Sequence, residues 1–210
     1  MLFRSKTWHW HLSDAIPTYL SSVAVGPFMC ISDVYNGQAE EISIQLWAHP
    51  SDSSSTVQTF SKLKQVLQAF EECFGPYRWQ RVGYVMVPFD GGAMEHATNI
   101  AFPESSLGGG LATENLYAHE LSHHWFGDLI TCASAPDMWI NEGWASFCEN
   151  IFKEKVYGFE SAQSHLMANH LKVLQTAHTD DGGYYAVAGV PHNITYGTTV
   201  YDKGADVVHT

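Results

Sequence analysis

Basic side chains are scarce in this chain. Lys and Arg number 10 against 22 Asp and Glu, and the formal net charge is −12 at pH 7. Nucleic acids and anionic membrane surfaces both select basic faces, so neither is an expected partner. The acidic excess suits simple solubility as well as a cationic substrate, such as a peptide with a free amino terminus. Cysteine is sparse too. Cys30, Cys73, Cys132 and Cys148 include no C-x-x-C pair, which disfavours a thiolate metal site. Four cysteines in 210 residues leave one or two disulfides open without requiring an oxidising compartment. No apolar run approaches the ~20 residues needed to span a bilayer, and no leader-like segment opens the chain. A secreted or periplasmic setting is favoured over a cytoplasmic one, with no residue that decides it. Internal repeats, low-complexity segments and coiled-coil heptads are absent. Met1 runs directly into what reads as mid-domain sequence, which predicts a piece of a longer protein.

What is present is enough apolar matter for a core: 45% hydrophobic and 13% aromatic residues. The apolar run over 18–28, marked by Pro17 and Pro27, predicts a buried strand. Ile42, Ile44 and Leu46 alternate with polar neighbours and predict a half-buried strand over 41–49. Val57, Phe60, Leu63, Leu67, Phe70 and Phe74 recur at helical spacing ahead of Gly75-Pro76, predicting one helix over 55–73. A strand is predicted over 79–88, followed by a turn at 89–92 whose Gly91 and Gly92 let the backbone bend sharply, then a β-prone stretch over 96–102. Further helices are predicted over 113–126, 137–156 and 159–178, with loop over 181–198 and a last helix from 199 onward.

The chemistry is concentrated in the stretch YAHELSHHWF at 117–126. His119 and His123 stand four apart, on one face of a helix and one turn from each other, with Glu120 between them. Two imidazoles so placed reach one small metal ion, and Glu120 is free to act as a general base. The motif alone is compatible with a surface helix and two satisfied histidines. Glu142, nineteen residues past His123, adds a carboxylate that a second, antiparallel helix would return to the metal. Two imidazoles and one carboxylate leave the fourth zinc position open, as in catalytic rather than structural sites. That donor mixture suits one Zn2+ per chain, with cobalt or manganese able to substitute.

Three signatures then fall in order. Gly92-Ala93-Met94-Glu95-His96 resembles a G-A-M-E-N box. His119–His123 with Glu142 resembles an H-E-x-x-H-(x18)-E zinc signature, and Tyr201-Asp202-Lys203-Gly204-Ala205 resembles a Y-x-K-G-A segment. Together they are similar to the aminopeptidase-N-like zinc metallopeptidases, the gluzincin family that includes the leukotriene A4 hydrolase type. The resemblance implies an α+β fold: a thermolysin-like catalytic domain over 29–210, a small mixed β-sheet followed by helices carrying the zinc site. It would be preceded over 1–28 by the tail of an N-terminal β domain, and cut short at its C-terminal end, with flanking domains in the full-length protein. Two departures stand out. His96 replaces the family's usual Asn at the end of the box, and Asp128 replaces an Asn after Trp125-Phe126-Gly127.

By that resemblance, His119, His123 and Glu142 hold zinc, Glu120 is the general base toward a metal-activated water, and Tyr201 donates its hydroxyl to the developing oxyanion. Glu95 meets the ammonium of a substrate with a free N-terminus, and the backbone of Gly92 and Ala93 binds the peptide. Tyr196 falls beside the site. Ser146 and Glu149 lie one and two turns past Glu142 and are candidates to support the ligands from behind, although Glu149 also reads as an ordinary exposed helix charge. His124 faces away from the metal and reads as structural, and the remaining histidines have no ligand spacing. The expected function is a zinc aminopeptidase hydrolysing the N-terminal peptide bond. The alternatives are a thermolysin-type endopeptidase, a leukotriene-A4-hydrolase-like epoxide hydrolase, or a zinc-bearing module without turnover.

Overall fold

A computed structural model describes residues 6–89 and 91–210. Residues 1–5 of the expected N-terminal tail, and Asp90 in the expected glycine turn, lie outside the described residues. The strands are β1 (Met29–Asn36), β2 (Glu41–Ala48), β3 (Arg81–Val87) and β4 (Ile100–Pro103), in the sheet order β1-β2-β3-β4. β1 runs antiparallel to β2, while the β2–β3 and β3–β4 pairs are parallel. Ile42, Ile44, Leu46 and Ala48 of β2 are buried in alternation, as a half-covered strand requires. β3 is buried continuously from Val82 to Met86, which is the signature of a strand covered on both faces.

The helices are α1 (Ser53–Thr59), α2 (Leu63–Phe74), α3 (Leu111–Ser122), α4 (Trp139–Tyr157), α5 (Phe159–Asp180) and α6 (Asp202–His209). α4 is the hub, packed against α2, α3, α5 and α6. The sheet meets the helices through an aromatic cluster. Phe60 lies 4.7 Å from Tyr84, 5.3 Å from Phe102 and 5.0 Å from Tyr117 between ring centroids. The α+β class and the small mixed sheet followed by helices are as expected.

Several boundaries differ. The helix expected over 55–73 is two helices, because Ser61 N–H donates to Gln58 O and Leu63 N–H to Phe60 O in tight turns between them. The break re-phases the apolar stripe: Phe60 enters the core, while Val57 stays 54% exposed. The run over 18–28 is not a buried strand. It forms a 3-10 turn at Thr18–Leu20 and then an extended segment, with Leu20 buried but Val23 and Val25 at 69% and 91% exposure. A backbone hydrogen bond from Ala97 N–H to Leu20 O ties it to the sheet side, and prolines at 17 and 27 cannot donate to a ladder. The true first strand, β1, escaped the pattern because its burial barely alternates, as in an edge strand paired on one side. Of the β-prone stretch over 96–102, only its end is strand. His96–Asn99 is a turn closed by Asn99 N–H to His96 O at 2.9 Å.

Candidate active site

The C-terminal half of α3 is buried on every side: Tyr117, Ala118, His119, Glu120, Leu121 and Ser122 are all inside. Charged side chains are rarely taken out of water without partners, so a glutamate and histidines there mark a site. The helix ends at Ser122 rather than 126, and His123 is its C-cap, still in the helical region. Its imidazole therefore keeps the one-turn spacing from His119, with ring centroids 4.9 Å apart. The chain then folds back through Gly127, whose φ of 145° favours glycine. A Cβ at Gly127 would sit 2.8 Å from His123 Nδ1. That close approach belongs to the turn in which His123 Nδ1–H donates to the Phe126 carbonyl at 2.9 Å. With Nδ1 so engaged, Nε2 is the nitrogen left facing the pocket.

Glu142 arrives from the first turn of α4. Its Oε2 lies 3.2 Å from Nε2 of His119 and 3.2 Å from Nε2 of His123. The three donor atoms lie within 4.8 Å of one another, and all three residues are buried. His119 Nδ1 is held by Glu149 Oε1 at 3.1 Å. Glu149 therefore meets His119 on the side away from Glu142. Ser146 instead lines a small cavity with Glu149, His165, Asn169 and Asp202, and among the described residues no hydrogen bond joins it to His119, His123 or Glu142. One turn past Glu142, it sits at a cavity shared with α5 and α6 residues.

The electrostatics are set by burial and by the contacts among His119, His123 and Glu142. Burial would raise Glu142, but the His123 charge and hydrogen bonds from both imidazoles hold it well below the carboxylate range. Burial would lower His123, yet Glu142 pushes it up to about 9. His119 is likewise depressed by burial and raised well above its ordinary value by Glu142 and Glu149. Burial pushes Glu120 up to about 7, against the pull of His119 and His123, and its buried Oε2 has no hydrogen-bond partner among the described residues. The donor set, the engaged Nδ1 atoms and the orphaned Glu120 oxygen fit a zinc ion and a water beside it.

A second buried group shares the pocket: Glu95, Glu120 and His123 also bring one donor atom each within 4.8 Å of one another. Glu95 is held there by its box. Met94 pairs with Ala101 of β4 by two 2.9 Å backbone hydrogen bonds, which turns the following side chain inward. Gly92 is exposed at φ 103°, and Ala93 is half-buried. His96, the departure at the end of the box, is half-buried with an unpartnered Nδ1, and burial lowers its pKa.

Tyr201 stacks on His119 with centroids 6.0 Å apart and planes 16° apart. Burial, then Glu142 and Glu120, push its hydroxyl far above the usual range, so it stays a proton donor. It reaches the site because Gly143 of α4 and Gly204 of α6 touch: a Cβ on either would stand 2.9–3.0 Å from the other's Cα. Tyr196 is 70% exposed, and after burial its pKa is raised by Glu142 and Glu95.

His124 does face away. Tyr77 Oη donates to Arg81 O at 2.9 Å, so His124 Nδ1–H donates to Tyr77 Oη at 2.7 Å. Its Nε2 accepts Thr98 N–H at 3.4 Å, and burial drives its pKa down to about 3. His124 thereby ties α3 to the turn after Glu95.

Sequence reasoning missed three contributors. Asp181 accepts the Thr198 and Thr199 N–H groups at 3.1 and 2.6 Å and so anchors the turn before Tyr201. The Asp-Gly pair there carries a turn signal, but no signal for its distant partner. Tyr19, from the 3-10 turn at Thr18–Leu20, lies near Glu95, and burial and then Glu95 raise its hydroxyl to about 12. Lys153 and His165 pair at 2.7 Å behind Glu149, and nothing in their spacing marked them.

A mixed α/β domain that gathers two imidazoles and a carboxylate beside a free buried glutamate is the framework of a metallopeptidase. The family model described as the Peptidase family M1 domain matches residues 58–210, and this chain belongs to that family of zinc metallopeptidases. It is 28% identical over 205 residues to aminopeptidase B of Rattus norvegicus, covering 92% of this chain and 30% of that protein. It is 27% identical to aminopeptidase N of Streptomyces lividans, over 70% of this chain and 18% of that one. Leukotriene A-4 hydrolase of Xenopus laevis is 26% identical over 75% of this chain and 25% of its own length. The chain thus spans under a third of these relatives. Among solved structures, the M1 zinc metallopeptidase from Deinococcus radiodurans superposes with a TM-score of 0.79 at 22% identity, over 92% of this chain and 42% of that one.

Proposed function

We propose that this chain carries the active centre of an aminopeptidase, acting on peptides with a free N-terminus. The observation that carries the reading is Glu95: a buried carboxylate within 4.8 Å of donor atoms of Glu120 and His123. A buried anion there rewards a substrate ammonium and is left unpaired by a blocked terminus. An endopeptidase has no use for it.

His119, His123 and Glu142 would hold the zinc. When bound, zinc polarises the scissile carbonyl and acidifies water. Glu120, poised near neutrality by burial, takes a proton from the attacking water and returns it to the leaving amine. Tyr201 donates its hydroxyl to the carbonyl oxygen as charge grows there. Glu95 sets how far the chain enters, so the bond cut is the first one. The acidic character of the molecule attracts the same ammonium from a distance.

The test is hydrolysis of one peptide in free and N-acetylated forms by the full-length protein and its Glu95→Gln variant. Wild type should prefer the free form strongly, and the variant should lose most of that preference. An unchanged preference in Glu95→Gln sinks the assignment, and equal cleavage of both forms by wild type favours the endopeptidase.

A further inference from the structure

Behind the metal ligands, the hairpin of α4 and α5 lines up a chain of polar groups, of which Lys153 is buried and Glu149 and His165 are partly exposed. Gly158, with φ 89°, turns the backbone sharply between the two helices. The turn sets Lys153, one helical turn past Glu149 on α4, against His165 of α5. Lys153 is only 7% exposed. Its Nζ lies 2.7 Å from His165 Nδ1. His165 Nε2 lies 3.9 Å from Glu149 Oε2, and the other Glu149 oxygen lies 3.1 Å from His119 Nδ1.

The proton positions in this chain follow from donor and acceptor capacity. An ammonium donates and never accepts, so His165 Nδ1 is the acceptor. A neutral His165 then carries its proton on Nε2, facing Glu149. A carboxylate only accepts, so His119 carries a proton on Nδ1 and offers Nε2 to the metal. The opposite tautomer of His119 could not ligate through Nε2. Burial and the Lys153 charge both lower His165's pKa, which agrees with the neutral form. The Lys153 charge, which burial disfavours, is offset by Glu149.

We propose that Lys153 and His165 are positioning residues, a strut that holds Glu149 against His119 and so strengthens zinc retention. The inference rests on His119 being a zinc ligand. Glu149 is partly exposed, with 21% of its side chain accessible. Without the strut it is free to swing toward solvent, leaving the ligand's tautomer and ring angle unset. Such supporting partners typically contribute about 10–100-fold in metal affinity.

The experiment measures zinc affinity of the full-length protein by competition with a chromophoric chelator. His165→Leu and Lys153→Met should each weaken zinc binding by about 10-fold. His165→Gln, whose amide N–H can still face Glu149, should stay near wild type. Long-range 1H–15N spectra of the zinc-loaded protein should show His165 protonated on Nε2. Wild-type affinity in both His165→Leu and Lys153→Met, or a His165 protonated on Nδ1, overturns the strut. If zinc-free His165→Leu melts well below wild type, its folding is damaged, and Lys153→Met with the spectra decides. His119→Ala is the control for the underlying reading. If it keeps wild-type zinc affinity, the metal site itself is misassigned; if it loses zinc while the strut variants keep it, the strut alone fails.

Discussion

At the scale of single residues, the pocket is an acid-base system that zinc must displace protons from. Without metal, His123 sits at about 9 and His119 well above its usual value, both pulled up by Glu142 against the effect of burial. Each therefore binds an extra proton at pH ~7.5, and ligation requires neutral imidazole. Zinc uptake at that pH should release close to two protons. Calorimetric titrations in buffers of differing ionisation enthalpy would read the number directly; a release near zero would mean that the ion pairs with Glu142 do not form. The same pairs stabilise the metal-free fold below the ordinary histidine range, and that contribution fades as pH rises through about 9.

Asp128 presents the opposite case. Both its oxygens are buried without a hydrogen-bond partner among the described residues, and its Oδ2 stands 3.6 Å from His124 Nε2. Burial lifts its pKa from 3.8 to about 8, against His123 and with help from Glu95 and Glu120. Between those values the unfolded chain loses the proton and the folded chain keeps it, so folding stability falls as pH rises. Asp128→Asn removes this dependence. Relative to wild type, chelator-treated Asp128→Asn should gain on the order of a few kcal/mol between pH ~4 and pH ~8, because each tenfold difference in proton affinity between the folded and unfolded chain is worth ~1.4 kcal/mol. Urea unfolding of both proteins at the two pH values checks it; a gain independent of pH would show that Asp128 is ionised in the fold.

At the scale of elements, each catalytic side chain depends on a connection that lies elsewhere. Tyr201 starts α6, and the turn before it hangs on Asp181 at the end of α5 through the Thr198 and Thr199 N–H groups. Asp181→Ala leaves those groups without their acceptor and loosens the tyrosine without altering the metal ligands. Its kcat should fall in the manner of Tyr201→Phe, for which loss of one oxyanion donor costs about 2.7–4 kcal/mol, while zinc affinity stays at the wild-type level. Steady-state kinetics beside a zinc titration separate the two, and loss of zinc in Asp181→Ala would show that the anchor serves the whole pocket. In the same way Glu95 depends on the Met94–Ala101 bridge, and His123 on the return turn at Gly127.

At the scale of the whole molecule, legibility in the sequence followed the range of the interaction. His119, Glu120 and His123 were readable because one turn of helix relates them, and Glu142 because a simple antiparallel return suffices. β2 and β3 were readable from alternation and from a continuous apolar run. The extended segment after Pro17 was not, because apolar composition says nothing about whether a neighbour covers it, and Val25 is left 91% exposed. The division of α1 from α2 was hidden because the apolar stripe survives a re-phasing turn almost unchanged. Glu149 reaches His119 Nδ1 while Ser146 lines a cavity with residues of α5 and α6, though both lie on the turns that follow Glu142. Which of them meets His119 is decided by how α5 and α6 pack on α4, and no local pattern encodes that. His165 and Asp181 were invisible for the same reason.

Where α4 crosses α6, hydrogen atoms alone face each other, Gly143 beside the ligand Glu142 and Gly204 three residues past Tyr201. One methyl group added at this seam has nowhere to go but between the two backbones. It would act as a shim, levering the Tyr201 hydroxyl out of place, with the Gly143 Cα as its nearest neighbour at 3.0 Å. Gly204→Ala is therefore expected to load zinc normally and to turn over peptide poorly, so that the thickness of a single seam sets the tempo of the chemistry.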